Sequence, residues 1–314
     1  MYPPIVLLRI DMENVAVVVI ALAIGLLLQR VQRFPDNAAT TLNLYVVYIA
    51  LPALILSEIP ALEFTSVALI PVIAAWVIMG LSALLVLALA TIFHWPRPVL
   101  GALMLLVPLG NTGFVGIPLI EAHLGAKAIP YAILYDQLGT FIALNTYGIV
   151  AATYYSASGS TSVKASAKAI VRTIIGFPPF IALLLAFATL GLQYPDWFNK
   201  ALSRISSTLV PVVMVAVGLQ WQLKLSREYV SPFFVGLLCI LGISPAMAWF
   251  GMEIFQIDGL VAHVVILEAA MPAMISAGVL AISYQLAPKF AASLCGYSLL
   301  FSLVSVWLWR LLIG

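Results

Sequence analysis

Charge is what this chain has least of. Asp, Glu, Lys and Arg make up 8% of its 314 residues, while apolar residues make up 64%. An ordinary soluble domain carries about 25% charged residues, so this composition excludes one. The formal net charge is only +2, and no basic stretch offers a surface to nucleic acid. Cysteine is nearly absent: Cys239 and Cys295 both sit in apolar runs, which argues against a disulfide framework. With three histidines, no H-E-x-x-H and no Cys/His metal spacing occurs. The phosphate-binding G-x-x-x-x-G-K-[ST] loop and the G-x-S-x-G elbow are missing too. Nothing points to an enzyme, an ATP-driven pump or a bound cofactor. Residues 1–12 show no cationic n-region and no clear cleavage site follows, so the first apolar run reads as a retained span.

What the chain has is apolar length, with a mean hydropathy of +1.14. About 20 apolar residues cross a bilayer as a helix, which allows about ten spans with short loops. The apolar runs read as spans at 15–28, 42–59, 67–93, 99–124, 129–155, 170–190, 202–223, 232–255, 260–284 and 288–312. The Ser-rich stretch from Ser156 to Lys168 is the linker. The domains are then 1–155, a linker at 156–169, and 170–314. Pro52 and Pro211 both fall mid-span and lie 159 residues apart. Pro130 and Pro288 open the fifth and tenth spans, and Gly113 of the fourth falls on Pro272 of the ninth at nearly the same offset. Because five is odd, the second half enters from the opposite side. The predicted fold is an all-α membrane protein of two inverted five-helix repeats.

Lys and Arg in the loops set orientation. Arg9, Lys127, Lys200, Arg204 and Arg310 share the N-terminal side. Arg30, Arg33, Arg97, Lys164, Lys168, Arg172, Lys224, Arg227 and Lys289 share the other. The larger set marks the cytoplasm, so both termini are expected outside the inner (plasma) membrane.

Two spans are broken at bilayer depth. The fourth carries Pro108, Gly110, Asn111, Thr112, Gly113, Gly116 and Pro118, and the ninth carries Glu268, Met271, Pro272, Ser276 and Gly278. Unwound backbone at that depth must line a cavity or be buried in protein, and the half-helix ends suit an ion or an anion. The substrate-binding candidates are Asn111, Thr112, Gly113, Pro118, Met271, Pro272 and Ser276. Asp136 and Glu268 are the carboxylates left inside spans. Each suits a proton or Na⁺, or else a structural hydrogen bond to freed backbone. Gln137 follows Asp136 and should project about a quarter-turn away. Asn111, Thr112, Gln137 and Ser276, with Asp136 and Glu268, either complete a coordination shell for an ion such as Na⁺ or satisfy freed backbone groups. His94 and His123 are expected at the interface, and His263 near a proton path.

Gly110-Asn-Thr-Gly-Phe-Val-Gly-Ile-Pro-Leu119 resembles the fourth-segment motif of the auxin efflux carrier family, which includes plant PIN carriers and bacterial organic-acid permeases. Tyr135-Asp-Gln-Leu-Gly139 and Ala270-Met-Pro-Ala273 resemble its fifth- and ninth-segment patterns. The long cytoplasmic loop of the plant carriers is absent, which fits a prokaryotic-type member. The resemblance implies a fold like bile-acid/sodium symporters and sodium/proton antiporters, with spans four and nine crossing at their breaks. It implies a scaffold from spans 1, 2, 6 and 7, a moving transport domain from spans 3–5 and 8–10, elevator-type alternating access and a homodimer. The expected function is secondary transport of small organic anions, carboxylates or indole-type acids, coupled to H⁺ or Na⁺. A cation/proton antiporter on the same fold and a non-transporting ligand sensor are the alternatives.

Overall fold

The computed structural model describes residues 12–31, 34–35, 37–62, 65–156, 167–192, 194–221 and 229–314. Arg9, Arg33, Lys164, Lys224 and Arg227 of the orientation tally lie outside them, as does the linker from 157 to 166.

The described residues form helices and no strand. In order these are α1 (Met12–Leu28), α2 (Ala38–Glu58), α3 (Ser66–Phe93), α4 (Arg97–Leu106), α5 (Thr112–Leu124), α6 (129–155), α7 (Ala167–Ile175), α8 (Pro178–Ala188), α9 (Asp196–Gln220), α10 (Val230–Ile254), α11 (Gly259–Ala269), α12 (Ile275–Ser283) and α13 (Pro288–Ile313). Helices α2, α3, α9, α10 and α13 are long and apolar enough to cross a membrane, and α7 with α8 makes a sixth if the bent pair is one span. Helices α1, α4, α5 and α11 are apolar but shorter.

Proline explains much of the local geometry. Pro98, Pro130 and Pro288 occupy first turns, where the missing N–H costs nothing, and Pro71 opens the α-helical part of α3 after a 3₁₀ turn at 66–69. Pro52, Pro118 and Pro245 instead follow widened, π-type turns at 46–50, 112–116 and 239–243. In each the residue before the proline bonds back five positions, to Val46, Thr112 or Cys239. A widened turn absorbs the bond that the proline cannot make. The widened turns of α6, at 135–140 and 144–148, have no proline after them.

The sixth apolar run is not a straight span. Gly176-Phe-Pro-Pro179 breaks it, and α7 and α8 meet at 68°. Phe177 is extended, as a residue before proline should be. Residues 167–169, assigned to the linker on sequence, begin α7.

Helix α1 packs on α9, and α2 packs on α8 and α9. The first contact is set by glycine. A Cβ on Gly25 would stand 2.9 Å from the Gly218 Cα, so the backbones touch. Gln29 then donates to the Gly218 and Trp221 carbonyls at 2.7 and 2.9 Å and closes the end of α9. Elsewhere α3 packs on α6, α10 and α11, while α13 packs on α4, α11 and α12.

Candidate functional site

Helices α4 and α5 are separated by a turn at Val107-Pro108 and by Leu109-Gly-Asn111; α11 and α12 are separated by 270–274. The two gaps meet. Gly110 and Ala273 form an antiparallel bridge in which the Asn111 N–H donates to the Pro272 carbonyl at 2.7 Å and the Met274 N–H to the Leu109 carbonyl at 2.9 Å. The Ala273 N–H donates to the Ser298 hydroxyl of α13 at 3.1 Å. Buried peptide groups must find partners, and here each break supplies the other's. The two broken segments thus meet in a backbone joint.

The carboxylates flank the first turns of α5. Asp136, 4% exposed, accepts from the Thr112 hydroxyl and the Gln137 amide, both at 2.6 Å, and from the Gly113 N–H. Bonds to a charged acceptor are worth about 1.5–3 kcal/mol each. Gln137 follows Asp136 in the widened turn at 135–140, and its side-chain amide reaches back to the Asp136 Oδ2. A Cβ on Gly113 would lie 2.9 Å from the Asp136 Oδ2. Three residues on, a Cβ on Gly116 would lie within 2.3 Å of the Glu268 Oε2. The two glycines let both acids approach the helix.

Glu268 differs from Asp136. It is 1% exposed, and neither carboxyl oxygen has a hydrogen-bond partner among the described residues. It lines a cavity of about 20 Å³ with Ser82, Thr112, Tyr135, Thr140, Ser244 and Met271. That volume suits one water-sized occupant. Ser82 and Ser244 bridge α3 and α10 across it at 3.1 Å. An unpartnered carboxylate is too costly in such a place, so the group calls for a proton or a cation, and every polar group around the cavity offers oxygen.

A second cavity, of about 140 Å³, lies on the other side of the joint. Asn111, Gly113, Asp136, Gln137 and Ser276 line it together with Val47, Leu51, Phe114, Phe141, Leu144, Phe177 and Met274. The Gln137 Oε1 is buried without a partner. Wider cavities flank the joint. One of about 360 Å³ is lined by Thr40, Gln220, Trp221, Gly278 and Cys295 among others. Another of about 460 Å³ is lined by Glu58, Glu121, Ser203, Ser207 and Pro211.

The structure thus sorts the residues named from sequence. Asn111, Gly113, Asp136, Gln137 and Ser276 share the 140 Å³ cavity; Glu268 and Met271 share the small one, and Thr112 touches both groups. Pro272 contributes its carbonyl to the joint. Pro118 lies apart, on the 460 Å³ cavity. His123 is buried in the last turn of α5, and its carbonyl accepts from the Arg310 guanidinium. Ser82, Ser244 and Phe177 escape a sequence reading because hydroxyls and rings in apolar helices carry no signal of their own. Among the described residues no group of three or more His, Cys, Asp or Glu forms a metal cluster.

A family model described as "Membrane transport protein" matches residues 10–310. An uncharacterized transporter of Methanocaldococcus jannaschii is 30% identical over 314 residues, which covers 96% of this chain and 98% of the relative. One of Methanothermobacter thermautotrophicus is 29% identical over 315 residues, with the same two coverages. Family and relatives are membrane transporters, not enzymes. With a match over nearly its whole length, and with the fourth-segment motif seated at the backbone joint, the chain belongs to the membrane transport protein family of auxin efflux carriers.

Proposed function

We propose that this transporter moves small organic anions by alternating access, in exchange with or coupled to a cation held at Glu268. The observation that carries the reading is the 140 Å³ cavity at the joint. Its amides and hydroxyl sit beside the N-terminal end of α5, where the helix dipole favours negative charge, and its other wall is apolar and aromatic. A carboxylate on a small hydrophobic body matches both halves. Among the described residues no Lys or Arg lines that cavity, and its one acid, Asp136, is engaged by Thr112, Gln137 and the Gly113 N–H, so backbone and amide groups do the recognising. Auxin-like indole acids and aliphatic carboxylates both fit this chemistry.

Ten spans in two inverted repeats is the arrangement we infer, with both termini outside the plasma membrane and the chain paired as a homodimer. Helix α11 has 11 residues, about 16 Å, so α11 with α12 is one span broken at its middle, as is α4 with α5. Packing supports the symmetry. The α1–α9 contact is the repeat mate of the α8–α2 contact. The Ser82–Ser244 and Gly110–Ala273 contacts each join a first-half segment to the segment in the corresponding place of the second half. In this reading α1, α2, α7, α8 and α9 form a scaffold along which the other helices slide.

A cation/proton antiporter is the second reading. The unpartnered oxygens of Glu268 favour it, since they need a cation or proton whatever the organic solute. Reconstitution separates the two. Current in liposomes on a panel of carboxylates, with and without Na⁺ and at two pH values, should depend on the carboxylate. Na⁺- or H⁺-dependent pH changes without any organic solute, and silence across the carboxylates, would replace the first reading with the second.

A further inference from the structure

The bend between α7 and α8 is not used by the function proposed above. Helix α7 is amphipathic along its whole length. Ile170 and Ile174 are half-buried, and α7 packs against α8 and the widened turn at 144–148. Next round the helix, Val171 and Ile175 are 52% and 55% exposed. Lys168 and Arg172 follow, both exposed and four residues apart on one face. An apolar flank edged by basic residues is the pattern of a helix lying in the headgroup plane of an anionic leaflet. The 68° bend to α8 gives it the direction to lie there when α8 crosses. Phe177, at the bend, stacks on Phe141 with ring centroids 4.0 Å apart and planes within 16°. Both rings line the 140 Å³ cavity.

We infer that α7 docks on anionic phospholipid through Lys168 and Arg172, and that this docking holds Phe177 against Phe141 as a wall of the substrate cavity. The second half of the statement rests on the transport reading above; the first does not. Each basic group beside an anionic leaflet is worth about a fivefold bias, so losing both should reduce the docked population by up to about 30-fold.

The test uses the full chain in vesicles of phosphatidylcholine with and without phosphatidylglycerol. With Cys239 and Cys295 replaced by Ser, a polarity-sensitive fluorophore on Val171→Cys should shift to an apolar environment when phosphatidylglycerol is added. In a Lys168→Gln/Arg172→Gln background that shift should vanish. For a transported carboxylate, phosphatidylglycerol should lower KM several-fold, the double variant should lose that gain with kcat little changed, and Phe177→Ala should raise KM in both lipids and remove the lipid effect. A fluorophore indifferent to lipid charge, or a shift that persists in the double variant, overturns the docking. Docking without any lipid effect on KM overturns the link to Phe177. Docking in a protein that transports no carboxylate overturns the proposed function and leaves the docking standing.

Discussion

At the scale of single residues, the two acids beside α5 are set up for different work. Asp136 has its bonds made, by Thr112, Gln137 and the Gly113 N–H. Glu268 has none among the described residues. On the proposed function the first holds a shape, and the second exchanges a proton or a cation. Glu268→Gln keeps the volume but removes the titratable oxygen. Ion-driven accumulation should fall to background while downhill exchange of substrate survives; accumulation at the wild-type level would remove Glu268 from coupling. The glycines give a sharper steric test. Gly116→Ala places a methyl within 2.3 Å of the Glu268 Oε2, whereas a methyl on Gly80 of α3 meets nothing within 4 Å. Transport rates should drop by more than about tenfold for the first, as misplacement of about 1 Å costs about 100-fold in comparable sites, and stay unchanged for Gly80→Ala.

Whole elements are governed by where helices stop and how closely they approach. Gly218→Val sets a branched side chain where the α1 and α9 backbones touch, and overpacking of this kind costs about 1–3 kcal/mol or more. Thermal unfolding in detergent should show a clear fall, larger than for Gly251→Val, whose site is open. Ser298→Ala strips the Ala273 N–H of its acceptor, a loss of about 1–3 kcal/mol, and should lower the same midpoint by a few degrees. Much at this scale is legible in the sequence. Apolar runs locate the helices, and Pro108, Gly110 and Pro272 locate the breaks, because these residues act on their own backbone. The bend at Gly176-Phe-Pro-Pro179 was written just as locally, yet the apolar run around it reads as one span. Burial of His123 and the meeting of Ser82 with Ser244 were hidden for another reason: both depend on partners far off in the chain.

For the molecule as a whole, the two wide cavities matter most. One is lined by the start of α2, the end of α9, α12 and the start of α13; the other by the end of α2, α5, the start of α6 and the middle of α9. On the proposed inverted repeat these linings are mates, and alternating access assigns each of them to one face of the membrane as a vestibule. Alternating access predicts that they exchange. Cys295 lines the first, and a cysteine at Ser207 would line the second. Labelling by an impermeant maleimide, from the face each one opens to, should respond to substrate in opposite senses, several-fold each way. Parallel changes at both positions would rule out alternating exposure.

The joint at Gly110 and Ala273 carries a consequence for how such a protein can change over time. It is tied by peptide groups, whose chemistry is the same in every residue but proline. The wall beside it is made of side chains: an amide here, a hydroxyl there, a ring opposite. Replacing the wall therefore leaves the seam intact. A lineage can try new cargo one substitution at a time without having to reinvent the architecture that carries it.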